Sequence, residues 1–204
     1  MHKGKYVFAQ LLDFTDKDVF LRLANKYDGN RYVKQFTCWN QLAVLMFGQL
    51  SNRESLRDVV LATQAHASKA YHLGFGKHAA KSTLADANTK RDYRIFEEFA
   101  YKVIAEAQRC RIVDIFKWIK QHLKIKKFWC TSKNAVRIQI YSAITAYCMM
   151  AIVQKKMNIE RSIYEMLHVV SISLTDTTNL KDLFAKPNYN IVNELDGSTE
   201  PSLF

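Results

Sequence analysis

The sequence predicts an all-α protein, and three observations carry that expectation. Both prolines, Pro187 and Pro201, lie near the end of the chain, so residues 1–186 hold nothing that forbids a helix interior. Apolar residues recur at three- and four-residue spacing along most segments, with no convincing run of period-two alternation. Hydrophobic residues make up 49% and charged residues 24% of the 204, enough for one domain of ordinary size or two small ones.

The elements follow in order. Within KYVFAQLLDF, apolar positions 7, 8, 11, 12 and 14 make one face of a short helix or arm. Thr15 with Asp18 resembles a capping box for DKDVFLRLANKY, which Asp28-Gly29-Asn30 closes. Thr37 opens CWNQLAVLMFGQL, apolar on nearly every side and the expected central helix of the N-terminal part. Ser51 with Glu54 reads as the box that opens the next helix, with Leu56, Val59, Val60, Thr63 and Ala67 on its buried face. After a loop over 71–77, Ser82 or Thr83 marks a fresh start. From Tyr93 to Arg109, residues Phe96, Phe99, Ala100, Val103, Ile104 and Ala107 line the inner side of a strongly amphipathic helix.

Further on, Thr131 or Ser132 caps a long apolar helix over 135–156 that Met157-Asn158 ends. Its most apolar part, Ile138–Val153, includes Gln139, Ser142 and Thr145 and is shorter than a bilayer requires, so it reads as a buried helix. SIYEMLHVVSISL follows as another apolar helix, Thr175 or Asp176 caps a short one over DTTNLKDLF, and residues 186–204 are polar and expected to fray.

Charge is unevenly spread. The net charge is +11, and residues 115–159 hold nine Lys/Arg and no acid. Along RIVDIFKWIKQHLKIKKFW, helical spacing gathers Lys117, Lys120, Lys124 and Lys127 in one stripe, with Ile112, Ile115, Ile119 and Leu123 opposite. An unopposed cationic face suits an extended polyanion such as nucleic acid, with an acidic lipid surface second and an ordinary solvated lysine face the plain alternative. A helix, a glycine-containing loop and a Ser/Thr-opened helix flanked by Lys77, Lys81, Lys90, Arg91 and Arg94 are compatible with a helix-turn-helix-like reader, which makes Lys81 and Arg91 further candidates for DNA contact. Four widely spaced cysteines without a CxxC read as reduced thiols in the cytoplasm, no cleavable leader is visible, and His66, His72 and His78 recur at a spacing that suits no helical metal site.

The stretches KYVFAQLLDF, FTCWNQLAVLMFGQLSNRESLRDVV, AYHLGFGK and STLADANTKRDYRIFEEFAYKVIAEA closely resemble the N-terminal domain of bacterial insertion-sequence transposases of the IS-four type, notably those of Bacteroides-like bacteria. Residues 115–184, IFKWIKQHLKIKKFW through SLTDTTNLKDLF, resemble the C-terminal end of the same proteins. The resemblance implies DDE chemistry, in which a ribonuclease-H-like core holds two Mg²⁺ ions on three carboxylates for in-line attack on a DNA phosphodiester. The family's third acid sits in a Tyr-Arg-Glu-Lys motif. With Lys120 as the motif Lys, the Glu position is Val113, the Arg position Arg109 and the Tyr position Glu106. Asp114 lies one residue away, about 100° around a helix. The family's Asp-Ser-Thr and Asp-Arg-Ala-Tyr settings have no counterpart, Asp196-Gly197-Ser198-Thr199 and Asp176-Thr177-Thr178 being only echoes of the first.

The resemblance therefore implies an internal deletion near residues 110–114. A helical DNA-binding domain (1–111) is then joined directly to the helical C-terminal remnant of a ribonuclease-H-like core (112–185), with a flexible tail (186–204). The expected function is binding of insertion-sequence ends without strand cleavage or transfer, with no catalytic residues, no metal ligands and no cofactor. The expected partners are DNA and, in homo- or hetero-oligomers, intact transposase; no membrane is expected, and the location is the nucleoid-associated cytoplasm. The alternatives are a regulatory inhibitor of intact transposase, or a non-functional product with apolar surface left bare on helices 93–109 and 136–154.

Overall fold

The computed structural model describes residues 4–76, 79–110 and 128–185, and every regular element among them is helical. In chain order these are α1 (Val7–Leu12), α2 (Lys17–Lys26), α3 (Cys38–Leu50), α4 (Leu56–Ala65), a 3₁₀ turn (Ala67–Lys69), α5 (Lys81–Lys90), α6 (Arg94–Arg109), α7 (Lys133–Lys156), α8 (Ile163–Ser173) and α9 (Leu180–Phe184). The all-α expectation stands.

Because α3 is apolar on nearly every side, it must be surrounded, and all of its residues except Asn40 are buried. It crosses α7, where the Gln49 amide donates to the Tyr147 hydroxyl at 3.1 Å. The long α6 lies along α7, and its predicted inner residues Phe96, Phe99, Ala100, Val103, Ile104 and Ala107 are all buried. Residues on both sides of position 111 thus share one hydrophobic core. By length and composition α7 could cross a membrane, but 72% of its most apolar window is buried inside the protein. On α7, Val136 and Ile140 are only half-buried.

Aromatic rings fill the two ends of the core. Phe20 meets Trp39, Phe96 and Phe99 edge-on at 5.6, 5.7 and 5.0 Å, which binds α2 to α3 and α6. Phe8, Phe47 and Phe75 make a second cluster with centroids 5.1–5.4 Å apart. The chain ends are joined through backbone groups. The N–H groups of Val7 and Phe8, orphaned at the start of α1, donate to the carbonyls of Asp176 and Leu174 at 2.8 and 3.0 Å.

Several helix starts differ from the sequence expectation. Asp16, not Thr15, caps α2 by accepting from the Val19 N–H, while the Thr15 hydroxyl donates to the Leu12 carbonyl. Ser55, not Ser51, caps α4. Ser51 is already committed to the end of α3, where the N–H groups of Asn52 and Arg53 donate to the carbonyls of Gln49 and Gly48 with Asn52 at φ +54°. The same closure ends α2 with Asp28 at φ +51° and α7 with Asn158 at φ +51°. In all three a short polar side chain takes the left-handed position usually given to glycine. Neither Ser82 nor Thr83 caps α5, which begins at Lys81 with Ala80 before it, and Asn179 rather than Thr175 or Asp176 caps α9. Thr37 caps α3 and Ser132, one of the two expected candidates, caps α7, while Ser162 forms a capping box with Glu165 at the start of α8.

Gly48 marks the tightest approach within α3. A Cβ there would lie 2.5 Å from the Val59 Cγ2 atom and 3.0 Å from the Trp129 ring. Val59 is fully buried and stiff about χ1, so it cannot yield. Gly48→Ala improves helix propensity by about 1 kcal/mol, yet urea denaturation should show a net destabilisation of about 1–2 kcal/mol because overpacking outweighs that gain. A more stable variant would refute this packing.

Candidate nucleic-acid interface

Helix α5 and the connection between α2 and α3 frame the basic surface that the described residues offer. On α5, Leu84, Ala87 and Asn88 point inward. Lys81, Ser82, Thr83, Asp86, Thr89 and Lys90 are exposed. Continuing the buried stripe by three residues reaches Arg91, and the structure places it inside. Arg91 is 9% exposed, and its Nη1 donates to the Thr37 carbonyl at 3.0 Å and to the Gln41 Oε1 at 2.8 Å. Its Nη2 donates to the Phe36 carbonyl, and the guanidinium lies 5.4 Å from the Phe36 ring. Gln41 passes the network on to Asn88 at 2.7 Å, and the Asn134 amide donates to the carbonyls of Asn88 and Arg91 at 2.9 and 2.7 Å. Burial holds the Arg91 pKa below its usual value.

Of the residues singled out as DNA contacts, Lys81 is exposed and makes no ion pair among the described residues. Arg91 differs: it is buried, and its Nη1 and Nη2 bind the start of α3 and the loop before it, so it ties α5 to α3. Lys117, Lys120, Lys124 and Lys127 lie outside the described residues. The tight helix-turn-helix connection is absent between α4 and α5. The intervening stretch contains a 3₁₀ turn and sends Leu73 and Phe75 into the core.

Two cations escaped the sequence reading. Arg31 and Lys34 stand exposed on the connection after Asp28-Gly29-Asn30, at the rim of a cleft of about 830 Å³ between that connection and α5. Arg91 lies within the lining of this cleft. The pattern Arg-Tyr-Val-Lys directly after a turn was the available signal. Of the cleft's acids, Asp86 pairs with Lys90 at 3.2 Å and Asp92 with Arg94 at 2.6 Å, while Asp28 faces the cleft without an ion pair among the described residues.

The described residues offer little chemistry. Burial pushes the Cys148 thiol up to about 12 and raises that of Cys38, so neither is a thiolate near neutrality. No group of three His, Cys, Asp or Glu side chains among them could hold a metal, so they do not fit the Mg²⁺ ions of a DDE centre.

Replacing Arg91 separates a tie from a DNA contact. Arg91→Met takes the donor from the Phe36 carbonyl and the Gln41 Oε1, while the Thr37 carbonyl keeps the Gln41 N–H, and should lower stability by roughly 2–3 kcal/mol in a denaturant titration. Arg91→Lys should recover only part of that, because an ammonium cannot fork between α3 and the preceding loop. An unchanged melt for Arg91→Met would show that the guanidinium does not hold the fold. Acid should also weaken the fold. Hydrogen bonds from Arg94 to Asp92, from Lys26 and Tyr27 to Glu98, and from Lys156 to Glu106 each hold a carboxyl below its usual value. A depressed carboxyl contributes stability that is present above its unfolded value, near pH 4, and is lost as pH falls through the folded one. Melting temperature should therefore drop below about pH 4, and Asp92→Asn with Glu98→Gln should flatten that drop.

Residues 3–76 match a family model described as "Domain of unknown function (DUF4372)". Over 82 residues the chain is 33% identical to "Putative transposase y4zB" of Sinorhizobium fredii (strain NBRC 101917 / NGR234). That match covers 40% of this chain and 23% of the relative, so the chain spans about a quarter of that protein's length. No solved structure matches. In sequence, the chain is transposase-like.

Proposed function

We propose that this protein binds DNA of insertion-sequence ends as a shortened, transposase-derived protein of the IS-four DDE type, as in Bacteroides-like bacteria, without cleaving or joining strands. The observation that carries the reading is where the charge sits. The helices share one hydrophobic core, and five of the described acids pair close to home: Asp13 with Lys5, Glu98 with Lys26, Asp86 with Lys90, Asp92 with Arg94 and Glu106 with Lys156. Exposed Arg31, Lys34, Lys81 and Lys133 make no ion pair among the described residues. The chain's net charge of +11 favours a polyanion partner, and exposed unpaired cations are the groups such a partner would meet.

A folded remnant is favoured over a non-functional product because α6 and α7 cover each other's apolar faces. Those are the surfaces that loss of a catalytic sheet would otherwise leave bare. Similarity to a protein named as a transposase supports the choice of DNA as the polyanion. Lys117, Lys120, Lys124 and Lys127 join Lys81 as the expected phosphate contacts.

A salt-titrated binding assay with a terminal-repeat duplex and a random duplex tests the reading. Affinity should fall steeply between about 50 and 200 mM salt, and replacing Lys117, Lys120, Lys124 and Lys127 by Gln should reduce the slope of log K against log salt by roughly three to four. No binding, or binding indifferent to salt, would overturn the proposal. Nicking of an end-containing duplex in Mg²⁺, abolished by Asp114→Asn, would overturn the claim that strand chemistry is absent.

A further inference from the structure

The connection from Asp28 to Phe36 carries Tyr32, a tyrosine that is 89% exposed, with its backbone in the left-handed region at φ +59°. A bulky residue rarely adopts that conformation, and surrounding structure must hold it there. Here the connection is fixed at both ends. At its start the Gly29 N–H donates to the Ala24 carbonyl at 2.8 Å, and the Asn30 side chain accepts from the Cys38 N–H at 2.8 Å. A Cβ on Gly29 would lie 2.4 Å from the Ile95 Cδ1 and 2.7 Å from the Cys38 Sγ, so the chain passes close against both buried side chains. At its end Phe36 is buried and Arg91 binds its carbonyl. Between these anchors the Arg31 N–H donates to the Asp28 carbonyl at 3.0 Å and the Val33 N–H to the Asn30 carbonyl at 3.1 Å.

The Arg31 guanidinium sits 5.1 Å from the centroid of the Tyr32 ring. One face of the ring is therefore occupied by a cation, while the high exposure leaves the other open. Lys34 stands exposed two residues on. A second cleft of about 400 Å³, lined by Asn25, Asp28, Asn30 and Arg31, opens beside the same turn. A lone exposed tyrosine would ordinarily need no explanation. A rigidly presented ring, backed by a cation and flanked by another, has the composition of a base-stacking platform.

We propose that Tyr32 stacks on an unpaired base of bound DNA, with Arg31 against the opposite face of the ring and Lys34 at a neighbouring phosphate. The inference rests on the DNA-binding reading above and adds a base-contacting site to it. Two duplexes test it, one blunt and one ending in a short 3′ overhang that carries 2-aminopurine, whose fluorescence falls when a ring stacks on it. Wild-type protein should quench the overhang probe. Tyr32→Ala should abolish quenching and weaken overhang binding about tenfold, with blunt-duplex affinity nearly unchanged. Tyr32→Phe should keep both properties, and an unaltered thermal melt for Tyr32→Ala should show that the fold is intact.

The outcomes separate the two claims. Wild-type protein that binds the overhang duplex without quenching overturns the stacking site alone, whatever the variants do. So does a Tyr32→Ala variant that quenches normally or loses blunt and overhang binding equally. Failure of wild-type protein to bind any of these DNAs overturns the DNA-binding reading and the stacking site with it.

Discussion

From a position that water barely reaches, Arg91 donates to the carbonyls of Phe36 and Thr37 and to the side chain of Gln41. No carboxylate accompanies it in this network. A buried cation without a counter-ion is costly unless its donors are met by well-placed dipoles, and here those dipoles come from the first turn of α3 and the two residues before it. Asn88 and Asn134 extend the network to α5 and to the start of α7. One guanidinium therefore ties the end of α5 to the start of α3, and Asn134 adds the start of α7 through the Asn88 and Arg91 carbonyls. Only arginine suits the task, since it stays charged despite the burial that lowers its pKa and its planar fork reaches several acceptors at once.

The arrangement matters because α3 has no polar face to expose. A helix buried along its whole length can exist only if neighbours enclose it, and its neighbours include α7 and α8 from beyond residue 128 as well as α2 and α4. The N-terminal part is thus incomplete without the C-terminal one. The backbone link from Val7 and Phe8 to Asp176 and Leu174 tightens the dependence. A junction near residues 110–114 would join two pieces that each supply what the other lacks, and α6 against α7 is the broadest instance.

Legibility from sequence followed the kind of signal. The all-α class, the buried α3 and the inner face of α6 were readable because long apolar periodicity records burial directly. Helix starts were less so, because several residues near each boundary could cap and tertiary packing chose among them. Ser51 and Asn52 look like the opening of a helix, yet they close α3, since one serine cannot serve the end of one helix and the start of the next. For Arg91, spacing rather than charge indicates its burial. Leu84, Ala87, Asn88 and Arg91 fall on one stripe, and the positive charge obscured that the stripe faces inward.

That distinction bears on how a basic protein should be read. Net charge says that a polyanion is attracted, but not which cations meet it. The described residues include cations of three kinds, among them Arg91, bound into the fold; Lys5, Lys26, Lys90, Arg94, Arg109 and Lys156, held by nearby acids; and Arg31, Lys34, Lys81 and Lys133, exposed without an ion pair. The last kind can exchange counter-ions for phosphates with little rearrangement, and counter-ion release makes such contacts favourable. Arg31 and Lys34 gain further weight because the network that buries Arg91 also anchors the connection on which they stand. The guanidinium that binds the Phe36 carbonyl steadies the connection on which Arg31 and Lys34 stand exposed.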